Sequence, residues 1–288
     1  MAEGWLAYTD RMNLMALDTS TDRLCVVLCL GGAVFAHEEP GGSQASQRLL
    51  PAAQELLARQ GLQWRDLDGL GFGQGPGAFT GLRGACAAVQ GLALGLGLSA
   101  VAVPSLRIVA EDARWQALNS GVLGAYQACT VRVAVDARMG QVYDDAAHWD
   151  GHRWHVLSQP AVRSPAEVAA EWRKELAVNR AGGDGEVITL CAGSGLVLMP
   201  AEEADHLRSS CAMWIPIEQG RGAALARCLM AAWTQGPRLD AAQVMPLYVR
   251  DRVALTTAER AAERQAQQLH EATAATATVL KATGKATC

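Results

Sequence analysis

The sequence predicts a soluble α/β protein built from two related halves. Half of its 288 residues are apolar and 19% are charged, a composition typical of a globular chain long enough for two hydrophobic cores. Apolar runs that read as strands alternate with helical patterns. A strand, an Asp, a polar loop and a second strand occur near Asp18 and again near Asp136. The alternation predicts α/β layers, and the recurrence predicts an internal duplication.

The first half begins with three short apolar runs, at 12–17, 24–30 and 33–36, separated by polar turns. These predict an antiparallel meander. A stripe of leucines then predicts a helix from Ser46 to Gln60, which Gly61 ends. The further predicted elements are a strand from Leu67 to Gly73, a helix from Thr80 to Leu96, a strand from Val101 to Val103 and a helix from Leu106 to Leu118.

The second half restarts with an apolar strand, Val131–Val135, and a new strand from Gln141. Its further predicted elements are a hairpin at Asp150-Gly151, a helix from Ala166 to Asn179, a strand from Val187 to Leu190, a helix from Ala223 to Thr234 and an apolar segment from Val244 to Val249. We therefore predict one lobe over 12–118 and a smaller one over 119–255. Residues 256–288 lack large apolar side chains and predict a disordered tail or frayed helix.

Charge and cysteine usage limit the functional classes. A net charge of -4 argues against a broad nucleic-acid surface on this chain alone. The eight cysteines form no CxxC motif, which favours free thiols in a reducing cytosol. Residues 1–11 lack the apolar core of a signal peptide. The uncharged stretch 84–103 is long enough for a membrane span, but its glycines and its β-branched end favour a buried helix and strand. We expect a cytoplasmic protein.

Two Asp loops occupy equivalent places in the halves, Asp18-Thr19-Ser20 and Asp136-Ala137-Arg138. At such hairpins, backbone N–H groups and a carboxylate can together bind a nucleotide phosphate and its metal ion. We interpret both loops as vestigial phosphate loops. Each Asp could equally well cap its own turn. The sequence leaves both interpretations open.

The glycine-rich stretch from Gly73 to Arg83 lacks the Lys of a P-loop and does not match GxGxxG. We interpret it as a structural strand-to-helix turn, whose residues are Gly75, Pro76, Gly77, Thr80 as helix cap, and Gly81.

The helix that follows carries a ridge of small residues, Gly84, Ala88, Gly91 and Gly95. Another helix could approach this ridge closely. The sequence does not decide whether that helix belongs to this chain or to a partner.

No pattern for chemistry emerges elsewhere. His148, His152 and His155 invite a metal site, but a two-residue turn at Asp150-Gly151 would place His148 and His152 on opposite faces. The turn Leu190–Gly195 could contact an adenosine or be an ordinary strand-to-helix turn. We find no catalytic triad and no HExxH motif, and predict no catalytic residue, metal or cofactor.

The chain resembles the bacterial TsaB (YeaZ) family. The motifs that carry the resemblance are Leu14–Thr21, Ser46–Pro51, Gly73–Arg83, Val135–Tyr143 and Pro246–Asp251, in family order. The resemblance implies a two-lobed actin/Hsp70-like ATPase (ribonuclease H-like, duplicated) fold with a reduced second lobe. It also implies a role in making threonylcarbamoyladenosine in tRNA.

The resemblance further implies that this chain is the partner of a TsaD-type threonylcarbamoyl transferase, with a TsaE-type ATPase completing the assembly and tRNA reached only through the complex. In the family the two first-lobe helices dock on their counterparts as a four-helix bundle, and could pair with a second copy when alone. The implied interface residues here are Leu49, Ala53, Leu57, Gly84, Ala88, Gly91 and Gly95.

The resemblance also implies that the chain is non-catalytic. The catalytic relative holds its metal through histidines where this chain reads Pro104–Val109, which contains neither imidazole nor carboxylate. Ala45 stands where many family members have a His. An independent ATPase or kinase, suggested by the Asp loops, and a glycoprotease remain as alternatives. For the latter no nucleophile with a base is present.

Overall fold

The computed structural model describes residues 12–42, 44–181 and 187–250. The predictions for residues 1–11 and for the 256–288 tail lie outside these ranges. Within them the chain folds as two mixed sheets with helices on both faces of each.

The first sheet has the order β3-β2-β1-β4-β5. Its strands are β1 (Asn13–Asp18), β2 (Arg23–Leu30), β3 (Ala33–Pro40), β4 (Gly69–Gly75) and β5 (Ala100–Pro104). β1, β2 and β3 are antiparallel, and β4 and β5 run parallel to β1. Successive side chains of β1 enter opposite cores, Met15 on one face and Leu14 and Ala16 on the other. The sheet is therefore covered on both faces, which explains its continuous apolar runs.

The second sheet repeats this order as β11-β10-β6-β7-β8, with β9 also paired to β7. Its strands are β6 (Cys129–Arg138), β7 (Gln141–Trp149), β8 (Trp154–Val156), β9 (Ala161–Arg163), β10 (Thr189–Ala192) and β11 (Met213–Ile215). β6 corresponds to β1, and β10 and β11 again run parallel to it. The shared strand order confirms the predicted duplication and the ribonuclease H-like fold class.

Four helices lie on the outer faces of the sheets, two on each. They are α1 (Ala45–Arg59) and α2 (Phe79–Leu96) on the first sheet, and α4 (Pro165–Ala181) and α5 (Ala201–Ser210) on the second. By length and composition alone, α2 is the one described helix that could span a membrane. In this fold it packs one face on the first sheet through residues such as Ala85 and Val89.

The last helix of each half packs against the sheet of the other half. α3 (Ser105–Asn119) follows β5, yet Leu106, Val109 and Ala113 lie in the core of the second sheet. α6 (Arg221–Gln235) follows β11, yet Leu225 and Leu229 lie in the core of the first sheet. The helix predicted over 223–234 therefore does not pack within the second lobe, because its apolar stripe is complementary to β2 and β5. The lobe limits of 12–118 and 119–255 stay a prediction.

Two local predictions need correction, and three short elements were not predicted. Thr80 does not cap α2, which begins at Phe79 after the extended residue Ala78. The hairpin after β7 has a four-residue loop, because Trp149 pairs with Trp154. Strands β9 and β11 and helix α5 are too short to have been predicted from periodicity.

Candidate functional site

The first Asp loop packs directly on the glycine turn. Ala78 N–H donates to the Ser20 carbonyl at 2.7 Å, and the Thr19 hydroxyl donates to the Gly81 carbonyl at 2.7 Å. A Cβ on Gly81 would lie 1.8 Å from the Thr19 carbonyl oxygen, and one on Gly77 would lie 2.2 Å from that of Ser20. These glycines are therefore required for close backbone approach between the turn and the loop.

The Asp18 carboxylate is buried and paired with Arg221. Arg221 Nε donates to Asp18 Oδ2 at 2.8 Å, and a terminal nitrogen of the same guanidinium donates to Ser20 Oγ at 2.8 Å. The side chains of Asp18 and Arg221 are 0% and 2% exposed. Glu218 binds the third guanidinium nitrogen. Every guanidinium nitrogen thus has a partner.

The pKa of Arg221 is raised, because attraction to Asp18 and Glu218 outweighs the effect of burial, which lowers it. The arginine therefore stays charged and occupies the carboxylate that a bound cation would need. Gly73 closes the other side of Asp18, since a Cβ there would lie 1.9 Å from Oδ1. The arrangement favours a locked structural ion pair at the first Asp loop.

The second Asp loop is a self-capped turn. Arg138 N–H donates to Asp136 Oδ1 at 2.7 Å, and the Arg138 guanidinium donates to Oδ2 at 3.2 Å. Arg138 and Met139 have φ of 64° and 56°, which completes the reversal. Asp136 N–H donates to Ser194 Oγ at 3.1 Å. The loop is therefore held by its own residues and by the turn after β10.

The turn Leu190–Gly195 supports this second loop as Gly73–Arg83 supports the first. A Cβ on Gly193 would lie 2.3 Å from the Ala134 carbonyl oxygen. The chain continues into a short 3-10 helix, Ser194–Leu198, so the segment is a strand-to-helix turn packed on β6. We find no described hydrogen bond or ion pair that joins the Asp18 and Asp136 loops.

The small-residue ridge of α2 divides into an internal and an open part. A Cβ on Gly84 would lie 2.9 Å from Ser46 Oγ of α1, and Ala88 is partly buried against the core. A Cβ on Gly91 or Gly95 would meet no described atom within 4 Å. The ridge thus packs on α1 at its beginning and faces solvent at its end.

The leucine stripe of α1 belongs to the core of this chain. Leu49, Ala53 and Leu57 are each no more than 1% exposed and contact the first sheet. The prediction that they form a partner interface is wrong for their side chains, because these side chains pack against the first sheet and are not accessible to a partner. The exposed positions of α1 lie on the other side, and they include the polar Gln47 and Gln54 as well as Pro51 and Ala58.

We call the solvent-facing side of these two helices the outer face. Its small or apolar exposed residues are Leu50, Pro51 and Ala58 of α1, and Ala87, Gly91, Leu94 and Gly95 of α2. Leu94 is 79% exposed, the largest value among the exposed large apolar side chains of the described residues. An exposed apolar helix face of this kind is typical of a docking surface.

A C-terminal segment lies against α2 beside the outer face. Gln90 Nε2 donates to the Val244 carbonyl at 2.9 Å, and Arg83 Nε donates to the Tyr248 hydroxyl at 2.8 Å. The Arg83 guanidinium also lies 3.7 Å from the centre of the Phe79 ring. The Pro246–Asp251 motif thus begins in the segment that these hydrogen bonds hold against α2.

The start of α3 carries Arg107. Burial raises the pKa of Asp145 in β7 to about 6. The neighbouring charge of Asp144 also raises this pKa, whereas the attraction of Arg107 lowers it. Asp145 Oδ1 and Arg107 Nη1 are buried without a described hydrogen-bond partner. Arg107 and Asp145 therefore attract each other within the fold.

His148 and His155 lie on neighbouring strands of the hairpin after β6. His148 lies opposite His155 across β7 and β8, with ring centres 6.5 Å apart, and His155 Nε2 is 2.6 Å from Asp150 Oδ2. Hydrogen bonds from His155 and from two backbone N–H groups lower the pKa of Asp150. Among the described residues we find no group of three His, Cys, Asp or Glu side chains arranged to hold a metal ion.

Comparison with known proteins gives consistent matches. Residues 36–203 match the family described as TsaD: tRNA N6-adenosine threonylcarbamoyltransferase. TsaB of Escherichia coli (strain K12) is 34% identical over 212 residues, which is 70% of this chain and 87% of that protein. TsaB of Haemophilus influenzae is 37% identical over 132 residues, or 46% of this chain and 52% of that protein. The solved structure of YeaZ from Pseudomonas aeruginosa has a TM-score of 0.63 at 30% identity, over 83% of this chain and 100% of that one.

Fold and matches together define the class as a duplicated α/β protein that matches the family of the threonylcarbamoyl transferases. Within that class, the chain belongs to the family of the tRNA threonylcarbamoyladenosine biosynthesis protein TsaB. The sequence motifs thus indicated the correct family, while the residues that lock the first Asp loop, Arg221 and Glu218, were missed.

Proposed function

We propose that this chain works in tRNA threonylcarbamoyladenosine biosynthesis as a non-catalytic subunit that docks on a TsaD-type transferase and activates it. The single observation that carries the docking role is the outer face of α1 and α2. On α2 the exposed residues Ala87, Gly91 and Leu94 leave a stretch without long polar side chains, while α1 presents Pro51 and Ala58 beside exposed glutamines. Two helices presented side by side suit a four-helix contact with a partner of the same fold.

The non-catalytic role is supported by the state of the two Asp loops. Asp18 is occupied by Arg221, and Asp136 is bonded to its own turn at Arg138. The place where the catalytic relatives hold a metal starts α3 here, with Arg107 as its charged residue. Both loop carboxylates therefore already have structural partners within the fold. A hydrolase or independent ATPase is therefore the less favoured interpretation.

The assembly proposed around this chain includes a TsaE-type ATPase, with tRNA contacted only through the complex. The net charge of -4 supports an indirect contact, since phosphate binding relies on Lys and Arg. The free described cysteines suit a reducing cytoplasm. We further propose that, without the transferase, the outer face can pair with that of a second copy, since a two-fold axis brings the same helices of two copies together.

A charge placed on the outer face tests the docking role. Leu94→Glu should weaken binding to the transferase, because Leu94 loses its apolar contact and a carboxylate becomes buried at the contact. Burying an exposed Leu contributes about 2 kcal/mol, so the dissociation constant should rise at least about thirtyfold. Calorimetric titration of the transferase with the purified chain measures this.

Val178→Glu is the matched control. Val178 is 69% exposed on α4, on the second sheet and away from the outer face. It should leave the dissociation constant within about twofold of wild type. Equal weakening by both variants, or by neither, would argue against the outer face as the docking surface.

A further inference from the structure

Arg83 is the only charged residue in the sequence of α2, and it lies on the exposed side of that helix. The exposed residues Thr80, Arg83, Ala87, Gly91 and Leu94 follow one another at spacings of three or four, so they form one line along the helix. Arg83 is therefore about one helical turn from Ala87, at the edge of the outer face.

Two aromatic rings hold the Arg83 guanidinium in place. The guanidinium carbon lies 3.7 Å from the centre of the Phe79 ring and 5.7 Å from that of the Tyr248 ring. The two ring centres are 5.4 Å apart, and Arg83 Nε donates to the Tyr248 hydroxyl at 2.8 Å. These contacts orient the side chain, and no described hydrogen bond uses its two terminal nitrogens. Both terminal nitrogens can therefore donate to a further acceptor.

The C-terminal segment brings Tyr248 to this position. Leu247 N–H donates to the Gln74 carbonyl at 2.8 Å, and Gln90 Nε2 donates to the Val244 carbonyl at 2.9 Å. These hydrogen bonds join the segment to the glycine turn at one end of α2 and to the middle of the helix. The Arg83 side chain is thus already oriented by the folded chain, which lowers the entropic cost of using it in binding.

Arg83 has no opposite charge beside it in the described part of the chain. The other charged residues of α1 and α2 all have ion pairs on this chain, because Arg48 pairs with Glu39 at 2.9 Å and with Glu55 at 3.2 Å, and Arg59 lies 3.9 Å from Glu55. No described ion pair involves Arg83. On these two helices it is therefore the one charge that still needs a counter-ion.

We propose that Arg83 is the charged anchor of the outer face and binds a carboxylate of the transferase. This inference rests on the docking role proposed above. A partner helix that covers Ala87 and Leu94 also covers Arg83, because the three residues share one line. Covering a guanidinium without an acceptor is costly, and its two terminal nitrogens match the two oxygens of a carboxylate. The transferase is therefore expected to present an Asp or Glu opposite Arg83.

The anchor also distinguishes the transferase from a second copy of this chain. In a second copy, α2 has no acidic residue and the one acidic residue of α1, Glu55, is already paired with Arg48. Pairing between two copies would bring together surfaces that offer Arg83 no free carboxylate. The unmatched charge therefore favours the transferase as the occupant of the outer face.

Calorimetric titration of the transferase with Arg83→Gln tests the anchor. This variant removes the charge and keeps a polar side chain. We expect its dissociation constant to exceed that of wild type about tenfold in about 50 mM NaCl and less than about threefold in about 500 mM, because salt screens an ion pair at the edge of an interface.

Arg208→Gln is the matched control. The Arg208 side chain is 56% exposed on α5, on the second sheet, and its guanidinium also lies over an aromatic ring, that of Trp214. This variant should leave the dissociation constant within about twofold of wild type at both salt concentrations.

A charge exchange then identifies the carboxylate. Arg83→Glu should weaken binding more than Arg83→Gln, because it places two carboxylates opposite each other. Each exposed Asp and Glu of the transferase is changed to Arg in turn, and one of these variants should restore the affinity for Arg83→Glu at least about tenfold.

Three results would overturn the proposal. The first is weakening by Arg83→Gln that is equal at both salt concentrations and that no charge exchange restores, which would assign Arg83 only to holding the C-terminal segment. The second is unchanged binding to the transferase with weaker binding of tRNA to the assembled complex, which would make a phosphate the ligand. The third is unchanged binding by Arg83→Gln in every assay.

Leu94→Glu separates failure of the anchor from failure of the docking role. If Leu94→Glu weakens binding and Arg83→Gln does not, the outer face remains the docking surface and the anchor alone is overturned. If neither variant weakens binding, the docking role and the anchor are both overturned.

Discussion

The buried ion pair of Arg221 and Asp18 makes the most demanding prediction about this fold. The pair connects the start of α6 to the end of β1 and so fixes the exchanged helix on the first sheet. Arg221→Met keeps most of the side-chain volume and removes the charge. It leaves the Asp18 carboxylate buried with Ser20 N–H, at 3.2 Å, as its one remaining donor among the described hydrogen bonds.

The expected loss of stability follows from the burial of both Arg221 and Asp18. Removing one member of a fully buried ion pair leaves an uncompensated charge and costs about 3–5 kcal/mol. For a chain of this size, 1 kcal/mol shifts the melting temperature by about 2–4 °C, so the variant should melt roughly 6–20 °C lower. Asp18→Asn combined with Arg221→Met removes both charges and should recover part of the loss.

Urea unfolding followed by circular dichroism measures the free energy of unfolding of these variants. Arg23→Met is the control, because Arg23 pairs with Glu38 at the surface with its side chain 51% exposed. That variant should lose less than about 1 kcal/mol. A loss below about 1 kcal/mol for Arg221→Met, or a double variant less stable than the single one, would refute the role assigned to the pair.

Two further predictions concern close packing and a buried carboxyl group. Gly81→Ala should lose roughly 1–3 kcal/mol by urea unfolding because its Cβ meets the Thr19 carbonyl, whereas Gly91→Ala should be neutral or gain up to about 1 kcal/mol; equal effects would contradict the packing described. Asp145 has a folded-state pKa of about 6, raised above the unfolded value, so the folded state holds an extra proton and stability falls as pH rises from about 4 to 6. Asp145→Asn should therefore gain up to about 3 kcal/mol relative to wild type between pH 4 and pH 7 in parallel urea titrations, and a pH-independent difference would contradict it.

Much of the fold could be predicted because its signals are local. Apolar runs, polar turns and the leucine stripe of α1 each occupy one stretch of sequence, and the recurrence of the loop at Asp18 near Asp136 predicted the duplication that the two strand orders confirm. The short elements were missed because three or ten residues carry too little periodicity. β11 (Met213–Ile215) is such a case.

The site could be predicted only in part, because its contacts are long-range. Arg221 is 203 residues from Asp18, and neither position alone indicates the other. The sequence also did not show which side of each helix faces the sheet. Leu49 and Leu94 lie on two helices that cover the same sheet, yet Leu49 is 1% exposed and Leu94 is 79% exposed. Which apolar side chains face the sheet depends on how strands and helices pack together, and the pattern of apolar residues in the sequence does not specify this packing.

Reconstitution of tRNA modification tests the docking and activating role most directly. A TsaD-type transferase, a TsaE-type ATPase, threonylcarbamoyl-adenylate and unmodified tRNA are combined with wild-type chain, with Leu94→Glu, with Val178→Glu or with no added chain. We expect threonylcarbamoyladenosine to form with wild type and Val178→Glu, and to drop toward the level without the chain for Leu94→Glu. Full modification without the chain would contradict its role as an activating subunit.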